Sequence, residues 1–205
     1  MTADRLRVLQ ALRLKGRVPV AELTAATGLG TDSVQDIVEG LTGAELAEEL
    51  RGRLKLTPAG RAQLEELLAV ERASIDQVAL ERLYHEFDKH NSALKSLMTR
   101  WQLRTADTPN DHTDAEYDQA VIVDLGWLDR DFQPLLARIV EVAPRLSHYP
   151  GRFGSALARI ADGDHSWFAK PLADSYHTVW FELHEELIGL AGLSRAEEAA
   201  AGRAE

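Results

Sequence analysis

The chain has 205 residues, 45% of them hydrophobic and none of them cysteine, and its formal net charge is −10 at pH 7. This composition excludes a disulfide framework, a thiolate metal site and a cysteine nucleophile, and it disfavours a protein whose main task is to bind phosphates. No apolar stretch approaches the roughly 20 residues that span a bilayer, and the charged N-terminus lacks the apolar region of a signal peptide, so we expect a soluble, cytoplasmic protein with no membrane partner.

Aromatic residues and charge divide the chain into two parts. The first 83 residues contain no Phe, Tyr or Trp, and all aromatic residues follow between residues 84 and 181. The formal charge sums to −1 over residues 1–72 and to −9 over residues 73–205. Such a break indicates two separately built cores. We therefore predict a small aliphatic domain at 1–72 and a larger helical domain at 73–205.

Three short helices are predicted at the start of the first domain. Thr2 is the expected N-cap of the first helix, Pro19 opens the second, and Gly28 ends it with a tight turn. Either Thr31 or Asp32 is expected to cap the third helix. Two short helices joined by a turn that contains Gly are typical of the helix-turn-helix motif.

A short hairpin is predicted after these helices. It turns at residues 51–52, and residues 53–56 alternate between polar and apolar. Thr57 is the expected N-cap of the next helix, with Pro58 at its first position. The segment RGRLKLTPAGRAQLEELL at 51–68 resembles the wing and following helix of MarR-type winged-helix regulators. That resemblance implies a winged helix-turn-helix fold and says little about what the fold binds.

The second domain is predicted to be entirely helical, because no strand pattern appears after residue 57. Residues 105–113 are expected to form a loop, and Ser194 and Glu197 a capping box. The helices are predicted at 76–103, from Asp114 to near Pro144 with a bend or break at Pro134, at 150–161, at 171–191, and after Ser194. The fold class is therefore mainly α: an N-terminal winged helix-turn-helix with a short β-hairpin wing, followed by an all-α helical domain.

The predicted third helix is acidic, whereas a DNA-recognition helix normally has basic neighbours that neutralise phosphates. Between Val18 and Leu50 there is no Lys or Arg, while seven acids occur. Some side chains remain candidates for nucleic-acid contact, although the basic ones are equally typical of a solvated face. These candidates are Ser33, Gln35, Arg51, Arg53 and Lys55. DNA binding is therefore disfavoured.

A polar loop of the second domain is a candidate for binding a ligand or a partner. Asp111, His112 and Asp114 lie where the loop runs into a helix. A turn followed by an N-cap explains the same residues without any ligand.

The predicted helix that ends near residue 191 carries a second candidate group. On it, His177, Trp180 and His184 share one face, and Asp174 lies one turn before His177. Asp and His at this spacing can bind a metal or relay a proton, but histidines that hydrogen-bond neighbouring helices are the more ordinary explanation. We expect both histidines to be partly buried, and one of them to be held by an acid of the polar loop or by Asp164.

No catalytic residue, cofactor or metal ion is predicted. The chain has no G-x-S-x-G, Walker A or G-x-G-x-x-G motif, and HEEL at 184–187 lacks the second His of the zincin pattern. A metal-dependent enzyme that uses Asp174, His177 and His184 is a third hypothesis behind the two given below.

Three segments of the second domain carry a further resemblance: MTRWQLR (98–104), PNDHTDAEYD (109–118) and DSYHTVWFELHEELIGLAGLSRAEEAAAG (174–202). They resemble a helical module of actinobacterial proteins related to phosphoenolpyruvate-utilising enzymes of the pyruvate phosphate dikinase type. In those proteins a similar winged-helix-plus-helical region follows the swivelling phosphohistidine domain, so the resemblance spans nearly the whole chain. This chain has no phosphohistidine segment, nucleotide-grasp domain or pyruvate-binding barrel, so the resemblance implies an accessory or regulatory piece.

Two functions therefore lead. The first is a non-enzymatic regulatory or protein-docking module, accessory to a phosphoenolpyruvate-utilising phosphotransferase. The alternative is a MarR-like DNA-binding transcriptional regulator whose helical domain dimerises and binds a small effector. The partner is then another protein, a second copy of the chain, or DNA.

Overall fold

The structure, a computed structural model, describes residues 3–200 apart from the side chain of Glu197. These residues divide into two compact units: the first comprises 3–75 and Arg145–His148, and the second comprises Asp76–Pro144 and 149–200. The sequence places the boundary after residue 72 and does not anticipate the return of 145–148 to the first unit. The elements are mainly α-helical, and a short antiparallel hairpin follows the first three helices, which confirms the predicted mainly α class with a short hairpin in the first unit.

The first unit packs short helices and a hairpin around an aliphatic core. Its elements are α1 (Ala3–Lys15), α2 (Val20–Thr27), α3 (Thr31–Gly43), β1 (Ala47–Leu50), β2 (Arg53–Leu56) and α4 (Pro58–Ser74). The two strands are antiparallel, with Ala47 opposite Leu56 and Leu50 opposite Arg53. Every element contributes to the core, which includes Leu9, Leu12, Leu23, Val34, Leu41, Leu54 and Leu64.

Helix ends in the first unit have local causes. Gly28 ends α2 with φ 66°, a left-handed conformation that Gly adopts without steric cost. The predicted cap of α3 is wrong: Gly30 is the N-cap, and both Thr31 and Asp32 lie inside the helix. The predicted cap Thr2 lies outside the described residues, as does the side chain of Glu197 in the predicted capping box.

The start of α4 is held tightly against the residues that follow α3. Thr57 caps α4 by accepting a hydrogen bond from the N–H of Gly60 at 3.0 Å, with Pro58 at the first position, as predicted. The Thr57 hydroxyl donates to the carbonyl of Glu45 at 2.7 Å, and its N–H donates to the carbonyl of Leu46 at 3.0 Å. A Cβ at Gly60 would lie only 1.9 Å from that Leu46 oxygen. Only Gly fits this approach of two backbone segments.

Gly60→Ala is expected to destabilise the first unit by about 2 kcal/mol, because the backbone must move to admit the methyl group. All Trp residues lie after residue 100, so Trp fluorescence follows the second unit alone and far-ultraviolet circular dichroism follows both. We expect an early loss of helical signal without a change in Trp emission. Gly40→Ala is the matched control: a Cβ there meets nothing within 4 Å, so it should be neutral or stabilising. Equal melting curves for the two variants would contradict the prediction.

A short segment from far along the chain completes the first unit. The guanidinium of Arg145 donates from Nε to both carboxylate oxygens of Glu71, at 2.8 and 3.0 Å. Only 2% of the Arg145 side chain and 13% of the Glu71 side chain are exposed. Ser147 accepts a hydrogen bond from Arg7 at 3.4 Å. The segment is therefore held by both an ion pair and a side-chain hydrogen bond.

The second unit is built from longer helices. Its elements are α5 (Gln77–Gln102), β3 (Leu103–Thr105), β4 (Thr108–Pro109), α6 (Ala115–Val142), α7 (Tyr149–Ala161), α8 (Tyr176–Leu190) and α9 (Arg195–Ala200), with a 3-10 helix at His165–Phe168. A further 3-10 turn at Pro144–Leu146 follows α6. Among the described residues, no helix has both the length and the hydropathy needed to cross a bilayer.

Aromatic side chains from four helices form the centre of this unit. Trp180 of α8 packs against Phe87 of α5 and Phe132 of α6, with ring centroids 5.1 and 4.5 Å away. Phe132 also meets Phe153 of α7 edge-on at 5.7 Å. The indole N–H of Trp180 donates to the side-chain oxygen of Asn91 at 3.1 Å, which satisfies its buried donor. Trp180 is therefore a core residue.

A small hairpin stands where the sequence predicts a loop at 105–113. Strands β3 and β4 pair antiparallel, and the hydroxyl of Thr105 donates to that of Thr108 at 2.9 Å. The N–H of Asn110 donates to the carbonyl of Gln102 at 2.8 Å. The prediction that no strand follows residue 57 is therefore wrong. Strands of three and two residues are too short to show alternation in the sequence.

Two helices bear on the predicted breaks and starts. Helix α6 continues through Pro134, so the predicted break is wrong, and the predicted bend stays a prediction. Both Pro134 and Arg130 are exposed, so the hydrogen bond that Pro134 cannot donate to the Arg130 carbonyl is missing on the outer side of the helix. Helix α8 begins at Tyr176 instead of residue 171, because Leu172 has φ 59° and a left-handed residue interrupts a right-handed helix.

Candidate functional site

The outer face of α3 is acidic. The helix turns its apolar side chains into the core and leaves Asp32, Asp36 and Glu39 exposed. Ser33 and Gln35, the candidates for base contact, are exposed on the same helix, and the amide of Gln35 donates to Glu39 at 3.2 Å. Within residues 3–200, none of the three carboxylates has a basic partner. This face therefore presents negative charge without compensation.

The basic residues of the first hairpin are largely used locally. Lys55 pairs with Glu48 at 2.6 Å, and this hydrogen bond and charge lower the pKa of Glu48. The guanidinium of Arg53 donates to the carbonyl of Arg17 at 3.1 Å. Arg51 is exposed at the turn, with φ 54°. Two of the three candidate phosphate contacts thus have other partners.

The polar loop of the second unit is organised around a residue that the sequence did not single out, Asp118 of α6. One carboxylate oxygen of Asp118 lies 2.8 Å from Nδ1 of His112, and the other accepts a hydrogen bond from the Asn110 amide at 2.7 Å. The Asn110 amide also donates to the carbonyl of Trp101 at 3.1 Å. The Trp101 and His112 ring centroids are 4.5 Å apart. The loop is therefore anchored to α5 and to the first turn of α6.

This arrangement orients the imidazole of His112. A carboxylate only accepts hydrogen bonds, so Asp118 selects the tautomer with its proton on Nδ1 and leaves the lone pair on Nε2. The side chain of His112 is 43% exposed, and Nε2 has no hydrogen-bond partner among the described residues. The backbone of His112 is left-handed, with φ 58°. An imidazole held this way can bind a group through Nε2.

The other two acids of the loop shape the backbone. Asp111 accepts hydrogen bonds from the hydroxyl and N–H of Thr113, at 2.8 and 3.1 Å, and these bonds lower its pKa. Asp114 caps α6 by accepting from the N–H of Tyr117 at 3.0 Å, and it pairs with Arg104 at 2.9 Å. The N–H of Tyr117 is the main cause of the lowered pKa of Asp114. The turn and cap that the sequence offers as the ordinary explanation are both present.

A buried ion cluster joins α7 to the start of α8. The guanidinium of Arg152 binds Asp174 through two parallel hydrogen bonds of 3.0 Å and Glu182 through one of 2.6 Å. Only 6% of the Arg152 side chain and 5% of the Glu182 side chain are exposed. Burial opposes the charged form of Arg152, but the carboxylates outweigh it and raise its pKa. Asp174 is thus bound to an arginine.

His184 belongs to a different buried group. Its Nε2 lies 3.1 Å from the hydroxyl of Tyr84, and that hydroxyl donates to Glu198 of α9 at 2.5 Å. Because Tyr84 has one proton to give, Nε2 of His184 is the donor in the first contact. Burial, assisted by the positive charge of Arg195, lowers the pKa of His184 to about 4. His184 is therefore neutral at pH 7 and draws its partner from α5.

His177 lies in the first turn of α8 and is exposed. The expectation that both histidines of this helix are partly buried is therefore wrong for His177 and confirmed for His184, which is 7% exposed. A helical face that is buried in the middle of α8 is open at its first turn. Trp180 and His184 pack in the core, whereas His177 lies one turn before Trp180, where this face is exposed.

The described residues contain no group of three His, Asp or Glu side chains placed to hold a metal ion. Comparison with protein-family models, with curated proteins and with solved structures finds no match to this chain. The geometry therefore offers two features for function: the acidic face of α3 and the oriented imidazole of His112.

Proposed function

We propose that the chain is a non-catalytic regulatory module that docks onto a basic surface of another protein through the outer face of α3. The observation that carries the proposal is the exposed, uncompensated set of Asp32, Asp36 and Glu39. The order of three helices, a hairpin and a further helix supports the interpretation of the first unit as a winged helix-turn-helix. Such folds serve as protein-docking modules as well as DNA readers.

Charge is the argument against DNA. Each Lys or Arg that neutralises a phosphate releases a counterion and adds affinity, whereas an acid at the same place repels the duplex. On the face that a recognition helix presents, this chain has three carboxylates, and in the hairpin Arg53 and Lys55 are engaged by Arg17 and Glu48. A partner with exposed Lys or Arg side chains is the complement of that face.

The class of partner follows from the resemblance of the second domain to a module of phosphoenolpyruvate-utilising proteins. We propose such an enzyme, acting in the same cell, as the protein that is docked. The chain itself is proposed to contribute no catalytic group, in keeping with the structural roles of Asp111, Asp114 and Asp174.

Binding to random duplex DNA at physiological salt is expected to be weaker than about 10⁻⁴ M, because non-specific affinity comes from phosphate neutralisation. Fluorescence anisotropy with a labelled duplex measures it. Asp32→Lys with Asp36→Lys should create measurable, salt-dependent binding, whereas Glu65→Lys with Glu66→Lys on α4 adds the same charge elsewhere and should create less. Nanomolar, sequence-dependent binding of the unaltered chain to the DNA upstream of its own coding sequence would contradict the proposal.

The docking proposal is tested with a photo-crosslinking amino acid in place of Ser33, on the proposed face. The same amino acid in place of Gln63, on α4, is the control and should not capture the partner. The crosslinked protein is then purified and titrated with the unaltered chain. We expect the Asp32→Lys, Asp36→Lys variant to bind the crosslinked protein at least about tenfold more weakly, a loss of about 1.4 kcal/mol in binding free energy. The Glu65→Lys, Glu66→Lys variant should bind as the unaltered chain does. Equal affinities of the two variants would contradict docking through α3.

The alternative is a DNA-binding regulator, and one observation favours it. Arg51 is exposed at the turn of the hairpin, where it can contact a phosphate, and Ser33 and Gln35 are exposed near the start of α3, where recognition helices meet base edges. In that case Arg51→Ala should weaken specific binding and reduce its salt dependence.

A further inference from the structure

A pocket in the second unit is separate from the surfaces discussed so far. Its volume is about 470 Å³, within the range of small-molecule sites. One face of α5 forms most of the wall, and the segment after α8 forms the rest. The residues that determine its chemistry are Val78, Glu81, Tyr84, His85, Asp88 and Leu193.

Part of the wall is apolar and preorganised. Val78 is 60% exposed and Leu193 is 38% exposed, so both leave hydrocarbon surface open to solvent at a concave site. Tyr84 supplies aromatic surface between the helices. Its hydroxyl is held by Glu198 and His184, so its ring is fixed before any ligand arrives, and binding loses little side-chain entropy there.

The rest of the wall is negative. Within the described part of the chain, no Lys or Arg lines the pocket, and neither Glu81 nor Asp88 has an ion-pair or hydrogen-bond partner. The two residues are seven positions apart on α5, which is about 10 Å along a helix that rises 1.5 Å per residue. Tyr84 and His85 lie between them in sequence. The pocket therefore places two separate carboxylates at the ends of an apolar strip.

We propose that this pocket binds a linear diamine or polyamine. One ammonium group pairs with Glu81 and a second with Asp88, while the methylene chain lies along Val78, Tyr84 and Leu193. A single divalent metal ion does not fit, because it needs oxygen ligands within about 2.6 Å of one point. A monoamine satisfies only one carboxylate, and a neutral or anionic molecule satisfies neither.

Isothermal titration of the full chain at about 0.15 M salt tests the proposal. The probes are 1,7-diaminoheptane, which matches the spacing when extended, its monoamine 1-aminoheptane and its neutral analogue 1,7-heptanediol, followed by spermidine. We expect the diamine to bind at least about tenfold more tightly than the monoamine, spermidine to bind at the same site, and the diol not to bind. Glu81→Gln with Asp88→Asn should remove the diamine preference.

The control variant Glu65→Gln with Glu66→Gln removes the same charge from α4 and should leave diamine affinity unchanged. If the two variants lost the same diamine affinity, binding would reflect the overall negative charge of the protein and not this pocket, and the proposal would be overturned. Equal affinities of the unaltered chain for the diamine and the monoamine would also overturn it. Because Glu81, Glu65 and Glu66 are exposed and Asp88 is partly exposed, we expect both variants to fold, with far-ultraviolet circular dichroism as the check. If the double variant does not fold, Glu81→Gln and Asp88→Asn are tested singly, and each should reduce the preference for the diamine over the monoamine. An unchanged preference in both single variants would also overturn the proposal.

Discussion

Arg152→Met is expected to destabilise the second unit by about 3–5 kcal/mol, the usual result of removing one partner from a buried ion pair. The substitution leaves Glu182, with 5% of its side chain exposed, without the guanidinium that binds it at 2.6 Å. It also removes two hydrogen bonds to Asp174, just ahead of α8. Urea unfolding followed by Trp fluorescence measures the loss. Hydrogen exchange at residues 169–175 should rise, because that segment loses its anchor.

Arg138→Met is the matched control. Arg138 also binds a carboxylate, that of Glu86, but both side chains are about half exposed, and solvent screens such a pair so that it contributes little to stability. Arg152→Lys should fall between the two, since it keeps the charge and loses the two-pronged geometry. Equal midpoints for Arg152→Met and Arg138→Met would mean that the buried cluster contributes no more than a surface pair.

Acidification from pH 7 to pH 4 is expected to cost the second unit about 3 kcal/mol through His184 alone. The unfolded chain binds a proton at His184 near the ordinary pKa of 6.5, whereas the folded chain does so only near pH 4. Between those values the unfolded state holds more protons, so stability falls as pH falls. Burial is the main cause of the lowered pKa, and Arg195 adds repulsion. Chemical denaturation at a series of pH values gives the slope.

His184→Gln removes the titrating group and keeps a donor for Tyr84. Its stability should depend less on pH than that of the unaltered chain, by about 3 kcal/mol across this interval. Differences between proteins are compared because other groups titrate as well. Burial raises the pKa of Asp129, for example, and therefore acts in the opposite direction. An unchanged slope in His184→Gln would count against this assignment.

Local sequence signals predicted much of the fold. Thr57 followed by Pro58 marked the start of α4, Gly28 marked the end of α2, and Asp114 marked the start of α6, because a cap depends on atoms only a few residues away. The start of α8 and the strands β3 and β4 were missed because their local causes leave no pattern in the sequence. A left-handed Leu172 has no signature in the sequence, and the strands β3 and β4 are too short to show a period.

The candidate sites depended on pairings that no local pattern reveals. His112 and His184 were singled out by residue type, but their partners were not. Asp118 looked like an ordinary acid in the first turn of a helix, and Tyr84 lies 100 residues before His184. Arg152 meets Asp174 across 22 residues. Such contacts arise from the way the helices pack, and that packing depends on all of the core residues together and not on any short segment of the sequence.

The segment 145–148 bears on how the protein is made. Ribosomes add roughly 5–20 residues per second, so the last residue of the segment that completes the first unit is joined to the chain about 4–15 s after residue 75. Throughout that interval the nascent polypeptide has Glu71 without Arg145. The N-terminal unit is therefore complete only after all of α5 and α6 has been translated, and a fragment released before residue 148 carries an unfinished unit that chaperones and proteases can recognise.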